Sequence, residues 1–261
     1  YNNILAGISL SGTKYTYQNP LNAAGFSRWD WHSCPCCPPL FLKSVGAMPG
    51  HIWSVDEGVV RANLFVGNET SVTLEGKKVG LKMETGYPWT GNVKITVDPS
   101  AEKAFTLDIR IPGWAVGTEN PFGLYTSGKS SDPVVKVNGD TVDISISDGY
   151  ASISRTWKEG DSVELTLPME PRIVRARPEV KELQGMAAVA YGPLVYCAES
   201  VDNPSLETSV LNPEVPMSAR FEPDFLGGSV VIKAGDLTLI PYHLLGNRAG
   251  SSAYKTWIPT K

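Results

Sequence analysis

Apolar and polar residues alternate with a period of two along most of the chain. The alternation runs through residues 93–97, 105–111 and 163–167, where the apolar positions are valine, leucine, isoleucine and phenylalanine. Strands of an antiparallel sheet with one buried and one solvated face have this pattern. Glycine and proline, 25 and 20 residues respectively, separate the runs at short intervals, which is typical of an all-β protein with many turns. The pattern therefore predicts an all-β structure from about residue 53 onward.

A β-hairpin is predicted at Asn138-Gly139. Val135 and Val137 lead into this dipeptide, and an alternating run of Val142, Ile144 and Ile146 returns from it. Asn-Gly between two alternating runs is a strong hairpin signal, because the tight turn needs positive φ at both positions.

The first fifty residues have a different pattern, which predicts a helix. Phe41, Val45 and Met48 fall at helical spacing, prolines at 38 and 39 suit a first turn, and Pro49-Gly50 supplies a stop. A shorter helical fragment is expected from about Asn2 to Ile8. The apolar face of the main helix has too little chain around it to be covered, so it should associate with a missing domain or with a second copy in a homo-oligomer.

A change of composition near Pro168-Met169 divides the β region in two. Beyond it, the apolar run from Met186 to Tyr196 predicts one fully buried strand, and the segment from Asp202 to Phe225 predicts a long surface loop.

Composition and charge exclude several partners. The chain has 261 residues and a formal net charge of −4, so it has no basic surface to neutralise nucleic acid or an anionic membrane. No stretch approaches the ~18 consecutive apolar residues of a membrane span. A chain of this length buries a large core without crosslinks, so its four cysteines need not be disulfides. Because it begins at Tyr1, without Met or a signal peptide, we expect a processed or incomplete polypeptide.

The candidate chemistry lies in the sequence Cys34-Pro35-Cys36-Cys37-Pro38-Pro39. Adjacent cysteines can bind one soft metal such as zinc, although a closed tetrahedral site needs four ligands. At the start of the predicted helix, the dipole and free N–H groups favour the thiolate form, which is a nucleophile as well as a ligand. A structural metal site, a redox pair and a catalytic nucleophile all fit this cluster. His32 beside two tryptophans is expected to be a packed residue, and Cys197 an inert core thiol.

An ordered series of motifs resembles the C-terminal half of glycoside hydrolase family 127, which includes bacterial β-L-arabinofuranosidases. The motifs are Tyr1-Asn2-Asn3, Tyr17-Gln18-Asn19-Pro20-Leu21, the cysteine cluster, Thr85-Gly86-Tyr87-Pro88-Trp89, Arg110-Ile111-Pro112-Gly113-Trp114, Val137-Asn138-Gly139, Gly192-Pro193-Leu194-Val195-Tyr196, Pro241-Tyr242 and Asn247-Arg248.

The resemblance implies a mainly β chain with two antiparallel β-sandwich domains. These would follow the terminal helical piece of an (α/α)6 catalytic barrel whose main part is absent. Residues 1–52 would be the barrel remnant, 53–169 the first sandwich and 170–261 the second.

The same resemblance implies roles for individual residues. Cys36 matches the family's cysteine nucleophile and also contacts the metal, Cys37 matches a zinc ligand, and Tyr17 matches a tyrosine that lines the sugar pocket. Cys34 matches a nearby cysteine that is not a ligand. The other two zinc ligands and the acid/base glutamate would lie upstream of Tyr1. Leu40 departs from the family pattern, which has an asparagine there.

The sequence thus predicts the C-terminal portion of a retaining, zinc-dependent glycoside hydrolase that removes L-arabinofuranose-type residues from glycans, inactive as an isolated chain. The alternative is a non-catalytic β-sandwich module that binds carbohydrate or supports a partner domain. Trp89 and Trp114 would then be candidate sugar-stacking residues, although packing between strands or domains is the simpler interpretation of both. A redox-active dithiol is disfavoured by the surrounding motifs.

Overall fold

The chain forms two compact units dominated by antiparallel β-sheet. A computed structural model describes residues 1–30, 36–118, 122–128, 131–248 and 250–261. One unit, here the terminal unit, comprises Tyr1–Val45, Glu119–Gly128 and Glu170–Lys261. The other, the middle unit, comprises Gly46–Thr118 and Lys129–Met169. The first 45 residues therefore pack with the C-terminal third of the chain, a grouping that the sequence pattern did not indicate.

The described residues contain few helices. The α-helices are α1 (Cys37–Ala47) and α2 (Pro49–Ile52), and single 3₁₀ turns occur at Leu5–Gly7, Gly113–Ala115, Lys181–Leu183 and Tyr242–Leu244. The prediction of the main helix is confirmed, whereas only one 3₁₀ turn forms in the segment from Asn2 to Ile8. Pro49 ends α1 as expected, but it then begins α2, because a proline fits the first turn of a helix. No helix in the described ranges is long and apolar enough to cross a membrane.

The strands occupy most of the chain after residue 52. In chain order they are β1 (Asn22–Phe26), β2 (Trp53–Asp56), β3 (Val59–Ala62), β4 (Asn68–Leu74), β5 (Lys77–Thr85), β6 (Asn92–Pro99), β7 (Lys103–Arg110), β8 (Tyr125–Ser127), β9 (Val134–Val137) and β10 (Asp140–Val142). They continue with β11 (Ile146–Ser147), β12 (Tyr150–Trp157), β13 (Asp161–Thr166), β14 (Pro171–Ala176), β15 (Met186–Tyr191), β16 (Leu194–Glu199), β17 (Met217–Glu222), β18 (Ser229–Ala234), β19 (Leu237–Pro241), β20 (Ser252–Lys255) and β21 (Ile258–Pro259).

The middle unit contains two sheets that share one core. One sheet has the order β10-β9-β13-β6-β5-β4 and the other β11-β12-β7-β3-β2, and every neighbouring pair is antiparallel except β3 and β7. Apolar side chains at alternate positions of both sheets form a single buried cluster. Trp157, fully buried in it, donates its indole N–H to the carbonyl of Phe105 at 3.0 Å.

The predicted hairpin at Asn138-Gly139 is confirmed, with positive φ of 52° and 91° at the two residues. Its returning strand is shorter than expected. It ends at Val142, and Ile146 belongs to β11 of the other sheet. The chain crosses between the sheets at residues 143–145, so one alternating run contributes to both.

The terminal unit contains one connected ten-stranded sheet. Its main path is β17-β18-β19-β16-β15-β14-β8, with β20 paired to β1 and β16, and β21 paired to β15. The apolar run from Met186 to Tyr196 is buried as predicted, but it forms a hairpin, β15 and β16, rather than one strand. Gly192 adopts a positive φ of 51° and Pro193 lacks an N–H, so the chain turns there.

The expected surface loop from Asp202 to Phe225 is also more structured than predicted. Residues Met217–Glu222 form β17 at one edge of the sheet. Leu206 and Leu211 are buried, and Leu211 pairs with Thr260 in an isolated bridge. Because of its high content of proline and serine, this segment was predicted to be a loop, although it contains one strand and two buried leucines.

We predict that Leu107→Ala in β7 destabilises the middle unit by about 2–5 kcal/mol, because Leu107 is fully buried between the two sheets and the substitution leaves a cavity. Leu64→Ala is the matched control, since Leu64 is 38% exposed, and it should cost about 1 kcal/mol or less. Denaturant unfolding of both variants measures the difference. Equal losses would contradict the assignment of Leu107 to the core.

Candidate active-site segment

The two adjacent cysteines lie at the N-terminus of α1. Cys37 is the first residue of the helix, and the carbonyl of Cys36 accepts a hydrogen bond from the N–H of Leu40 at 3.2 Å. Cys36 is exposed and Cys37 is half-buried. The positive end of the helix dipole therefore lies close to both sulfur atoms, although residues 38 and 39 are prolines and contribute no N–H to the first turn. The sequence prediction of a helix start at this point is confirmed.

The two sulfur atoms are arranged as a pair of metal ligands would be. The Sγ atoms of Cys36 and Cys37 lie 3.7 Å apart, far longer than a disulfide bond. Two thiolates bound to one tetrahedral zinc ion at ~2.3 Å would be ~3.8 Å apart. Zinc is a borderline-soft ion for which thiolates are preferred ligands, so donor chemistry and spacing both fit. Within the described residues, no group of three or more His, Cys, Asp or Glu side chains could hold a metal.

Two residues for which the sequence predicted a role lie outside the described residues. These are Cys34, expected to be a cysteine that is not a ligand, and His32, expected to be packed. Cys197, by contrast, is fully buried in β16, and burial raises the pKa of its thiol well above the usual value. The prediction that Cys197 is a core thiol is confirmed.

Tyr17 lies on a separate segment of the terminal unit and forms an aromatic pair. Its ring stacks on that of Trp29, with 5.4 Å between the ring centroids and 24° between the planes. The backbone of Trp29 exchanges two hydrogen bonds of 2.8 Å with that of Tyr15 in an isolated bridge, which fixes the two segments relative to each other. Trp29 is 39% exposed, so part of this aromatic surface faces solvent. Five residues outside the described ranges separate this segment from Cys36.

Arg28, which no sequence signal singled out, anchors the aromatic segment. Its side chain is buried and donates to the carbonyls of Ala6 at 2.7 Å, His243 at 3.3 Å and Leu245 at 2.9 Å. Burial lowers the pKa of the guanidinium to about 10, so it remains charged at neutral pH. A buried charge is tolerated when its donors are satisfied, and here main-chain carbonyls satisfy them.

Among the described residues of the terminal unit, the most buried carboxylate has a structural role. Glu199 is 1% exposed and accepts hydrogen bonds from the hydroxyl of Ser252 at 2.6 Å, the N–H of Gly246 at 3.1 Å and the guanidinium of Arg248. Arg248 also pairs with Asp202. Burial alone would lower the pKa of Arg248, but its two carboxylate partners raise it above its usual value. Glu199 therefore holds Gly246, Arg248 and Ser252 together in the interior of the unit.

The candidate sugar-stacking tryptophans of the middle unit are mostly packed. Trp114 is 9% exposed and donates its indole N–H to the hydroxyl of Tyr87 at 3.2 Å, so the idea that it is an exposed stacking surface is wrong. Trp89 is half-buried. The non-catalytic carbohydrate-binding alternative loses one of its two candidate residues.

Three sequence profiles match successive parts of the chain. The Beta-L-arabinofuranosidase, GH127 catalytic domain matches residues 1–50, the GH127 middle domain residues 59–169, and the glycoside hydrolase family 127 C-terminal domain residues 171–259. A curated relative, the non-reducing end β-L-arabinofuranosidase of Bifidobacterium longum subsp. longum, is 32% identical in an alignment 253 residues long that covers 87% of this chain and 35% of the relative.

Solved structures agree with the profiles. A GH127 β-arabinofuranosidase superposes with a TM-score of 0.92 at 36% identity, over 98% of this chain and 44% of that one. A GH127 β-L-arabinofuranosidase from Geobacillus stearothermophilus T6 gives a TM-score of 0.87 at 32% identity, again over 98% and 44%. Fold and sequence thus define a part of a glycoside hydrolase. The chain belongs to glycoside hydrolase family 127, to the C-terminal part of its members, and it spans less than half the length of these relatives.

We predict that alkylation separates the cysteines by exposure. In the folded chain, iodoacetamide should label Cys36 and Cys37 quickly and leave Cys197 unlabelled until denaturant is added, because Cys197 is fully buried and its thiol stays protonated. Peptide mass spectrometry at a series of times measures each site. Labelling of Cys197 at the rate of Cys36 under native conditions would contradict the described burial.

Proposed function

We propose that this chain is the C-terminal portion of a retaining glycoside hydrolase that removes L-arabinofuranose-type residues from glycans, with Cys36 as the nucleophile. The observation that carries this proposal is the pair of thiols at the start of α1, 3.7 Å apart, inside the segment that matches the family's catalytic domain. The curated relative and the solved relative from Geobacillus stearothermophilus are β-L-arabinofuranosidases by name, and a second solved relative is a β-arabinofuranosidase by name, which supports the choice of sugar.

The proposed reaction proceeds in two displacements at the anomeric carbon. The thiolate of Cys36 attacks this carbon, the C–S bond forms, and the glycosidic C–O bond breaks as a carboxylic acid protonates the leaving oxygen. Water then attacks the same carbon, the resulting carboxylate takes its proton, and the C–S bond breaks to release Cys36 and the sugar with retained configuration. The carboxylic acid in this scheme is a glutamate in the part of the enzyme that precedes Tyr1.

A zinc ion held by Cys36 and Cys37, with two further ligands outside this chain, completes the proposed site. When bound, the ion keeps the thiolate ionised at neutral pH, at some loss of nucleophilicity. The half-buried position of Cys37 and the exposed position of Cys36 suit their different roles, because only the nucleophile must reach the sugar. Tyr17, stacked on Trp29, would line the sugar pocket.

We further propose that residues 1–52 are the end of an (α/α)6 barrel, followed by β-sandwiches at 53–169 and 170–261. The surface of α1 supports the first part of this division. Leu40 and Leu42 are 63% and 65% exposed, and Val45 is 40% exposed. So many exposed apolar residues on one short helix indicate a surface that another domain covers. The profile of the catalytic domain ends at residue 50.

We predict that Cys36→Ser in the full-length enzyme lowers kcat/KM by at least ~10³-fold with the fold retained, because a serine hydroxyl stays protonated at neutral pH and is a poor zinc ligand. Cys37→Ser should reduce zinc content as well as activity. Cys197→Ala is the control and should change only stability, slightly. Hydrolysis of an aryl β-L-arabinofuranoside and metal analysis measure these effects. Near wild-type turnover by the Cys36 variant would refute its assignment as nucleophile.

We also predict that the 261-residue chain alone hydrolyses no arabinofuranoside and binds zinc weakly, because it supplies two of four expected ligands and no acid/base. General acid catalysis alone contributes ~10²–10⁴-fold. Addition of the preceding domain as a separate polypeptide should restore activity by covering α1. Turnover by the chain alone would show that the catalytic apparatus lies within these residues, contrary to the proposed division.

A further inference from the structure

The carbonyl of Pro20 accepts hydrogen bonds from two buried tyrosines. Tyr242 donates its hydroxyl to this oxygen at 2.8 Å, and Tyr254 donates to the same oxygen. Tyr242 is 4% exposed and Tyr254 is fully buried. A carbonyl oxygen has two lone pairs, so two phenols can saturate it. Burial raises the pKa of both phenols, which therefore remain protonated donors at any pH at which the enzyme would work.

Contacts with other aromatic rings also hold the two phenol rings in place. Tyr254 lies in β20, and Tyr242 begins the 3₁₀ turn that follows β19. Their rings contact edge to face, with 6.2 Å between the centroids, and Phe26 packs edge to face on Tyr254 at 5.5 Å. Phenylalanine at either position would preserve these ring contacts. The hydroxyl groups therefore supply hydrogen bonds to the Pro20 carbonyl and are not needed for the packing of the rings.

The residues directly after Pro20 are fixed by the same part of the sheet. The carbonyl of Leu21 accepts from the N–H of Thr256 at 2.9 Å. The amide side chain of Asn22 accepts from the N–H groups of Thr256 and Trp257 at 2.9 and 3.0 Å, and it donates to the carbonyl of Trp257 at 2.9 Å. The segment 20–22 is thus attached to β20 and to the turn after it.

Tyr17 lies between two points at which the chain is attached to the C-terminal sheet. On one side is Pro20, three residues further along the chain. On the other side, its ring rests on Trp29, whose neighbour Arg28 is bound to the turn at residues 243–245. The hydroxyl of Thr16, which precedes Tyr17, donates to the carbonyl of Gln18 at 2.7 Å, so the chain is locally hydrogen-bonded across Tyr17. Because only Gln18 and Asn19 separate Tyr17 from Pro20, we expect a shift of the Pro20 carbonyl to be transmitted to the ring of Tyr17.

We propose that Tyr242 and Tyr254 are positioning residues of the sugar pocket, which act by holding the Pro20 carbonyl and thereby the ring of Tyr17. This inference rests on the proposed function, because Tyr17 contacts sugar only under that proposal. It gives the C-terminal sheet a part in substrate binding although neither tyrosine touches the substrate. Misplacement of a pocket residue by about 1 Å can cost ~10²-fold in rate, so such support from outside the pocket is consequential.

The test uses Tyr242→Phe, Tyr254→Phe and the double variant in the full-length enzyme. The matched control is Tyr196→Phe, whose buried hydroxyl donates to the carbonyl of Val230 at 3.0 Å, away from Pro20 in the same sheet. The double variant is expected to raise KM for an aryl β-L-arabinofuranoside at least tenfold. Its melting temperature should fall by no more than twice the decrease measured for Tyr196→Phe. Tyr196→Phe should lower stability and leave KM unchanged.

Hydrogen exchange supplies a readout that does not depend on activity. In the double variant, peptides covering residues 15–22 should exchange faster, because the amides of Tyr15 and Thr16 are hydrogen-bonded to Trp29 and Gly7 in the held segment. The control should leave these peptides unchanged. Unchanged exchange in this segment, or a KM equal to that of the control, would overturn the positioning role. A wild-type enzyme with no arabinofuranosidase activity would instead refute the proposed function.

Discussion

A buried guanidinium with carbonyl partners is the interaction on which the geometry of the candidate site depends. Arg28 connects the carbonyl of Ala6, near the start of the chain, to those of His243 and Leu245, near its end. Each carbonyl would otherwise have to find another donor, and the charge itself would be costly without them. The aromatic segment around Trp29 is therefore built onto the C-terminal sheet. The catalytic-domain profile and the C-terminal profile match residues that form one compact unit.

Under the proposed function, this arrangement gives the C-terminal sheet a role in substrate binding in addition to stability. A sugar pocket needs side chains fixed to fractions of an ångström, and loops alone seldom achieve this. Here Pro20, Leu21 and Asn22 are attached to β20 and its neighbours through both main-chain and side-chain hydrogen bonds. The position of Tyr17 therefore depends on strands that follow it by more than two hundred residues.

Local features of the fold were predictable from the sequence, and long-range ones were not. The period of two, the turn at Asn138-Gly139 and the start of α1 depend on neighbouring residues, and the structure contains all three. The run from Met186 to Tyr196 was predicted to be one strand because burial of both faces removes the alternation of apolar and polar residues. Only Gly192-Pro193 marked the turn between β15 and β16. The strand at Met217–Glu222 was hidden by the prolines and serines before it. In the site, the adjacent cysteines were visible as a motif, whereas Arg28 and its carbonyls are brought together only by tertiary folding.

Under the proposed function, the sulfur of Cys36 forms a covalent bond to the sugar during turnover. The most direct measurement is mass spectrometry of the full-length enzyme, quenched in acid during turnover of an activated aryl β-L-arabinofuranoside and digested. The account predicts that the peptide carrying Cys36 gains the mass of one anhydropentose, and that fragmentation places it on that cysteine. An adduct on a carboxylate, with Cys36 unmodified, would contradict the account.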